Sequence, residues 1–81
     1  MPQAYHIEVW SDGSINRYLP DLEFNGLVYE PREQFHPPNG RFQAQREAAA
    51  IRMMENRWAR PVMMDDGVWV AYASMATKGA N

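Results

Sequence analysis

The chain has no cysteine, so neither a disulfide framework nor a thiolate zinc site is available, and the redox compartment is not indicated. It has only two histidines, His6 and His36, and neither is spaced with a second histidine or a carboxylate as zinc ligands or a catalytic pair would be. No glycine-rich phosphate loop is present, and Ser11, Ser14 and Ser74 lack the Gly-flanked elbow that exposes a nucleophile. Asp65 and Asp66 are adjacent carboxylates, but Asp-Asp-Gly between two apolar runs is accounted for by a turn. No stretch approaches the ~18 apolar residues of a membrane span, and the opening MPQAYHIEVW lacks a basic region followed by an apolar run. With no catalytic constellation, cofactor motif or metal-ligand set to point to, a non-enzymatic cytoplasmic protein is expected.

What the chain does have is one segment long enough to roof a sheet. At 81 residues there is room for one core, and 46% hydrophobic with 22% charged residues is globular composition. A single domain over residues 4–75 is expected, with 76–81 as a disordered polar tail. So short a chain buries only ~60 to 65% of its unfolded surface, which makes a bound partner or a second copy a useful source of stability.

The roofing segment is Arg41 to Ala59, rich in alanine and ending before Pro61, which cannot continue a helical hydrogen-bond ladder. Asn39 is the expected N-cap, with Pro37 and Pro38 holding the preceding chain extended. At 100° per residue, Ala44, Ala48, Ile51, Met54 and Trp58 fall in a stripe about 120° wide that should face the core. Phe42, Arg46, Ala49, Met53, Arg57 and Arg60 cluster on the opposite side. A solvated face is normally Glu, Lys and Gln, whereas Phe, Met and Arg are enriched at contact surfaces. Phe42, Arg46, Met53, Arg57 and Arg60 are therefore the candidate partner-binding residues. The competing structural reading folds Phe42 under the Pro37-Pro38 loop and leaves Met53 as one stray exposed side chain.

Around this helix the spacing predicts an antiparallel sheet of four to five strands, an α+β fold in the order β-β-β-α-β-β. Tyr5 to Trp10 alternates into a turn at Ser11-Asp12-Gly13-Ser14, and Ile15 to Leu19 returns until Pro20-Asp21 breaks it. Leu22 to Tyr29 reads either as a hairpin about Asn25-Gly26 or as one strand with a bulge at Gly26, and a strand centred on Leu27 to Glu30 is favoured. Pro31 to Gly40 is expected to be a crossover loop. Val62 to Met64 and Val68 to Ala73 form a closing hairpin about Asp65-Asp66-Gly67. The last strand is apolar on both faces and so belongs in the middle of the sheet, with Trp69, Ala71 and Ala73 beneath the helix and Val68, Val70 and Tyr72 on the reverse. That reverse face must be exposed, covered by a loop, or buried in a dimer.

Charge is unevenly placed. Residues 41–60 hold five of the eight basic groups against two of the ten acidic ones, a local surplus of +3 against −5 elsewhere. Only Arg52 and Glu55 are spaced to pair along the helix, so the other arginines either reach across to the sheet or are free for a ligand. Three functions fit: a protein-binding inhibitor or adaptor docking on a larger host protein or ribonucleoprotein complex; a nucleic-acid-binding protein using Arg46, Arg57 and Arg60 on phosphates with Phe42 or Trp10 stacking on a base; and a homodimeric, antitoxin-like or phage accessory protein paired through its open sheet face.

The run Gly67-Val68-Trp69-Val70-Ala71-Tyr72, preceded by an Ala-rich amphipathic helix and a short strand, resembles the closing half of small phage-encoded anti-CRISPR proteins directed at type I surveillance complexes. The likeness covers residues 41–73. It implies a non-enzymatic inhibitor, in the host bacterial cytoplasm, that docks on the CRISPR effector complex and blocks target DNA binding or cleavage.

Overall fold

A computed structural model describes residues 19–79 together with the short strand Tyr5–His6. The fold is α+β, as expected: one helix packs on a four-stranded antiparallel sheet, with a small two-stranded pairing beside it. In chain order the elements are β1 (Tyr5–His6), β2 (Leu19–Pro20), β3 (Leu22–Phe24), β4 (Leu27–Phe35), α1 (Gly40–Met54), β5 (Arg57–Met63) and β6 (Trp69–Thr77). The main sheet runs β3-β4-β6-β5, and β1 pairs with β2. The expected turn at Ser11 to Ser14, and residues 7–10 and 15–18 of the strands expected on either side of it, Trp10 among them, lie outside the described residues. No helix among the described residues is long and apolar enough to cross a membrane.

β6 sits between β4 and β5, the central place that its two apolar faces require. On one face Ala71 and Ala73 are fully buried, and Ala73 packs with Ala59 against Ala48 and Ile51 of the helix. Small side chains on both sides let the helix lie close to the strands. On the reverse face Val68, Val70 and Tyr72 form a cluster with Leu19 and Tyr29, flanked by Leu22, Phe24, Leu27, Val62 and Met64. The Tyr72 hydroxyl donates to the Pro20 carbonyl at 2.9 Å, fastening β2 over that face. Of the three outcomes open for the reverse face, its own chain covers it.

Leu22 to Tyr29 forms the hairpin rather than one bulged strand, and the strand expected about Leu27 to Glu30 lies within its second arm. Asn25 and Gly26 have φ of 52° and 80°, the pair of positive values that a two-residue turn matched to strand twist needs, and Leu22 stands opposite Tyr29. β4 then runs through Pro31, where a loop was expected, and ends only at Phe35. The reason is the register. Proline has no amide hydrogen, so the pair Pro31 and Tyr72 lies between hydrogen-bonded rungs with the proline nitrogen turned away from β6, and Arg32 enters as the extra residue of a bulge.

The helix is shorter than its periodicity suggests. It stops at Met54, because Asn56 adopts a left-handed conformation (φ 54°) just beyond the last turn, where asparagine substitutes for the usual glycine. Arg57 to Met63 is therefore strand, and Pro61 sits within it opposite Ala71, by the same register argument as Pro31. Ala44, Ala48 and Ile51 keep their buried places, while Met54 (83% exposed) and Trp58 (48%) leave the expected core stripe. Asn39 precedes the helix, but its side chain makes no capping hydrogen bond; its carbonyl accepts from the Gln43 amide at 3.0 Å. The turn at Asp65-Asp66-Gly67 is as expected: Asp66 Oδ1 accepts from the Val68 amide at 3.1 Å and Gly67 takes φ 88°. β6 continues through Ala76 and Thr77, and the Lys78 amide donates to the Asn56 carbonyl at 2.7 Å, so the tail is ordered strand for longer than its composition suggested.

At Gly40 the start of the helix lies close against the end of β4. A Cβ there would lie 2.7 Å from the Phe35 carbonyl oxygen and 3.4 Å from Trp69 Cδ1. Gly40→Ala is expected to lower stability by about 1–3 kcal/mol through forced separation of α1 from the end of β4; a urea midpoint equal to that of the wild type would contradict the close contact.

Candidate docking surface

The helix leaves its outward side uncovered. Phe42 is 61% exposed and Met53 85%, and Arg46 lies between them on the same stripe with its guanidinium 5.7 Å from the centroid of the Phe42 ring. Phe42 therefore does not fold under the Pro37-Pro38 loop, and its ring instead faces the Arg46 cation. Beside the stripe a shallow groove is lined by Phe35, Gln43, Arg46, Glu47 and Ala50, so Arg46 borders both features. Met54, 83% exposed at the helix end, extends the apolar surface.

Arg57 and Arg60 do not join this stripe, because both lie beyond the helix end on β5. Arg57 turns inward: its Nη1 donates to the Ser74 carbonyl at 3.0 Å and to that of Met75, and its Nε lies 3.4 Å from Glu55 Oε1. Arg60 points to the reverse side of the sheet, with its guanidinium 4.2 Å from the centroid of Phe24. Phe24 itself meets Tyr29 edge to face at 5.2 Å, so Arg60 closes the rim of the reverse-face cluster.

The remaining basic groups of residues 41–60 are also engaged within the molecule. Arg41 lies over the Trp69 ring at 5.7 Å. Arg52 does not pair with Glu55 along the helix; its Nη1 donates to the Ala59 carbonyl at 2.9 Å. Glu55 instead receives a two-pronged pair from Arg32, Nη1 to Oε1 and Nη2 to Oε2, each at 2.8 Å. Sequence spacing along one helix could not show this contact, which joins residues 23 positions apart. The arrangement places a carboxylate at a helix C-terminus, where the backbone dipole is unfavourable to it, and Arg32 and Arg57 offset that cost.

These contacts set the local ionisation. Hydrogen bonding to Arg32 holds the Glu55 carboxyl below its ordinary value, with the charges of Arg32 and Arg57 adding to the effect, and the Arg32 guanidinium is raised in return. Glu33 is shifted the other way, first by burial and then by the charge of Glu47.

Away from the helix, exposed apolar side chains gather on β5 and the end of β6: Trp58 (48%), Met63 (58%) and Met75 (50%), with Lys78 Nζ 4.6 Å from the Trp58 ring. The sequence signal for Trp58 was misassigned because helical spacing was carried past Asn56. Among the described residues no three His, Asp or Glu side chains converge as a metal site. Comparison of the chain with protein families, curated proteins and solved structures finds no match in any of the three.

Because the Glu55 pKa is lowered in the folded state, its contribution to stability is complete above the unfolded-state value and fades as pH falls through the folded-state value. Glu55→Gln is expected to lower the urea midpoint at neutral pH, with the gap from wild type narrowing toward about pH 3. A gap that stays constant over that range would show that the Arg32 and Arg57 contacts do not stabilise the fold.

Proposed function

We propose that this chain is a non-enzymatic protein-binding module that acts by covering a surface of a larger protein or ribonucleoprotein complex through the outward side of α1. The observation that carries this is the stripe of Phe42, Arg46 and Met53: two large apolar side chains, 61% and 85% exposed, on either side of an arginine. A rigid ring, an adaptable thioether and a fork of donors are the anchor types from which compact interfaces draw most of their energy. Occlusion asks for only ~800 Å² of complementary surface per partner, within reach of a chain this size.

The nucleic-acid reading has less support, because the guanidiniums of residues 41–60 meet carbonyls, a carboxylate and aromatic rings of their own molecule. A homodimer paired through the reverse sheet face is likewise disfavoured, since Val70 and Tyr72 are already fully buried there. Within the docking reading, the resemblance of residues 41–73 to anti-CRISPR proteins makes a type I CRISPR surveillance complex the first partner to test, with block of target DNA binding or cleavage as the inhibitory outcome.

The test measures target DNA binding and cleavage by a purified type I complex with and without the chain, beside the variants Phe42→Asp and Met53→Glu. Each substitution is expected to weaken docking about 30-fold or more while leaving circular dichroism and the urea midpoint unchanged. No inhibition by the wild type removes the CRISPR partner. Inhibition that both folded variants retain removes the helix stripe as the docking surface.

A further inference from the structure

β5 is the last strand of its sheet, and among the described residues nothing pairs with its outer side. Such an edge is a template for another chain unless its backbone groups are removed or occupied. The register shows which groups face out. Pro61 stands opposite Ala71 and cannot donate, so this pair lies between hydrogen-bonded rungs. By alternation Ala59, Pro61 and Met63 turn their backbone groups outward, while Arg60 and Val62 turn theirs toward Tyr72 and Val70. Two of the three outward positions are altered. Pro61 has no N–H to offer, and the Ala59 carbonyl is already occupied by Arg52 Nη1, which reaches down from α1 to 2.9 Å.

We propose that Arg52 and Pro61 together seal β5 against strand addition by a second copy of this chain. A second copy is the natural occupant because antiparallel pairing of β5 with itself about an axis at Pro61 is self-complementary, setting Ala59 of one copy opposite Met63 of the other and Pro61 opposite Pro61. Proline abolishes both bonds of the central pair. The Arg52 guanidinium competes for a further bond in each flanking pair, the one running from the Met63 amide to the Ala59 carbonyl. What is left uncontested is one bond per flanking pair, although the exposed Trp58 and Met63 side chains on this strand would otherwise favour association. This inference rests on strand register and not on the outward helix stripe, so either can fail without the other.

The test compares the wild type with Arg52→Ala and with Arg52→Ala/Pro61→Val by sedimentation equilibrium over a concentration series, with amide hydrogen exchange as a second readout. The double variant is expected to self-associate at least about tenfold more tightly than the wild type, and the Ala59 and Met63 amides to slow only in the associated form. Should the valine variant fail to fold, Arg52→Ala alone carries the test through the same two readouts, since it leaves the strand sequence intact. A folded variant that associates no more than the wild type, or one that associates without protecting Ala59 and Met63, overturns the seal.

Discussion

A strand that is apolar on both faces has to be covered twice, and the fold follows from meeting that requirement for β6. Alanines at 71 and 73 give one face a smooth floor, on which Ala48 and Ile51 set the helix close to the sheet. Val70 and Tyr72 give the other face bulk, which the chain from Leu19 to Leu27 encloses, with the Tyr72 hydroxyl held by the Pro20 carbonyl. In so small a domain this double coverage uses the whole described chain. One helix cannot bury two opposed sides, so the side carrying Phe42 and Met53 remains in solvent.

Polar contacts secure the same arrangement at its margins. Glu55 joins the end of α1 to β4 through Arg32 and to β5 through Arg57, and Arg57 in turn reaches the carbonyls at the end of β6. Four of the five arginines in residues 41–60, Arg41, Arg52, Arg57 and Arg60, are thus engaged by carbonyls, a carboxylate or rings of the molecule, and Arg46 stays on the exposed stripe with Phe42. An arginine lying over an aromatic ring or hydrogen-bonded to a backbone carbonyl is a poor starting point for a phosphate contact, which is why a protein partner is the better-supported proposal.

Much of this was legible in the sequence where one period governs a stretch. The two-sided apolar run from Val68 to Ala73 correctly placed that strand at the sheet centre, and Asp-Asp-Gly correctly marked its turn. The positions of Phe42, Arg46 and Met53 followed from helical spacing that holds as far as Met54. It fails at Arg57 and Arg60 because Asn56 ends the helix by adopting a left-handed conformation, a signal that the more conspicuous Pro61 obscured. Pro31 and Pro61 were taken as breaks, yet each stands in a strand with its nitrogen turned from β6. Whether a proline interrupts a strand depends on which way its nitrogen faces, and that is a property of pairing partners rather than of local sequence. The Arg32–Glu55 contact was illegible for the same reason: only the closed sheet brings the two together.

Attenuation of side-chain NMR signals by a soluble paramagnetic probe tests the double coverage of β6, and the exposed helix stripe that results from it, most directly. Strong attenuation of the Met53 methyl and the Phe42 ring in the free chain, with the Val70 methyls and the Tyr72 ring shielded, is the pattern the fold requires. Equal attenuation of Val70 and Tyr72, or a shielded Met53 methyl, would contradict it.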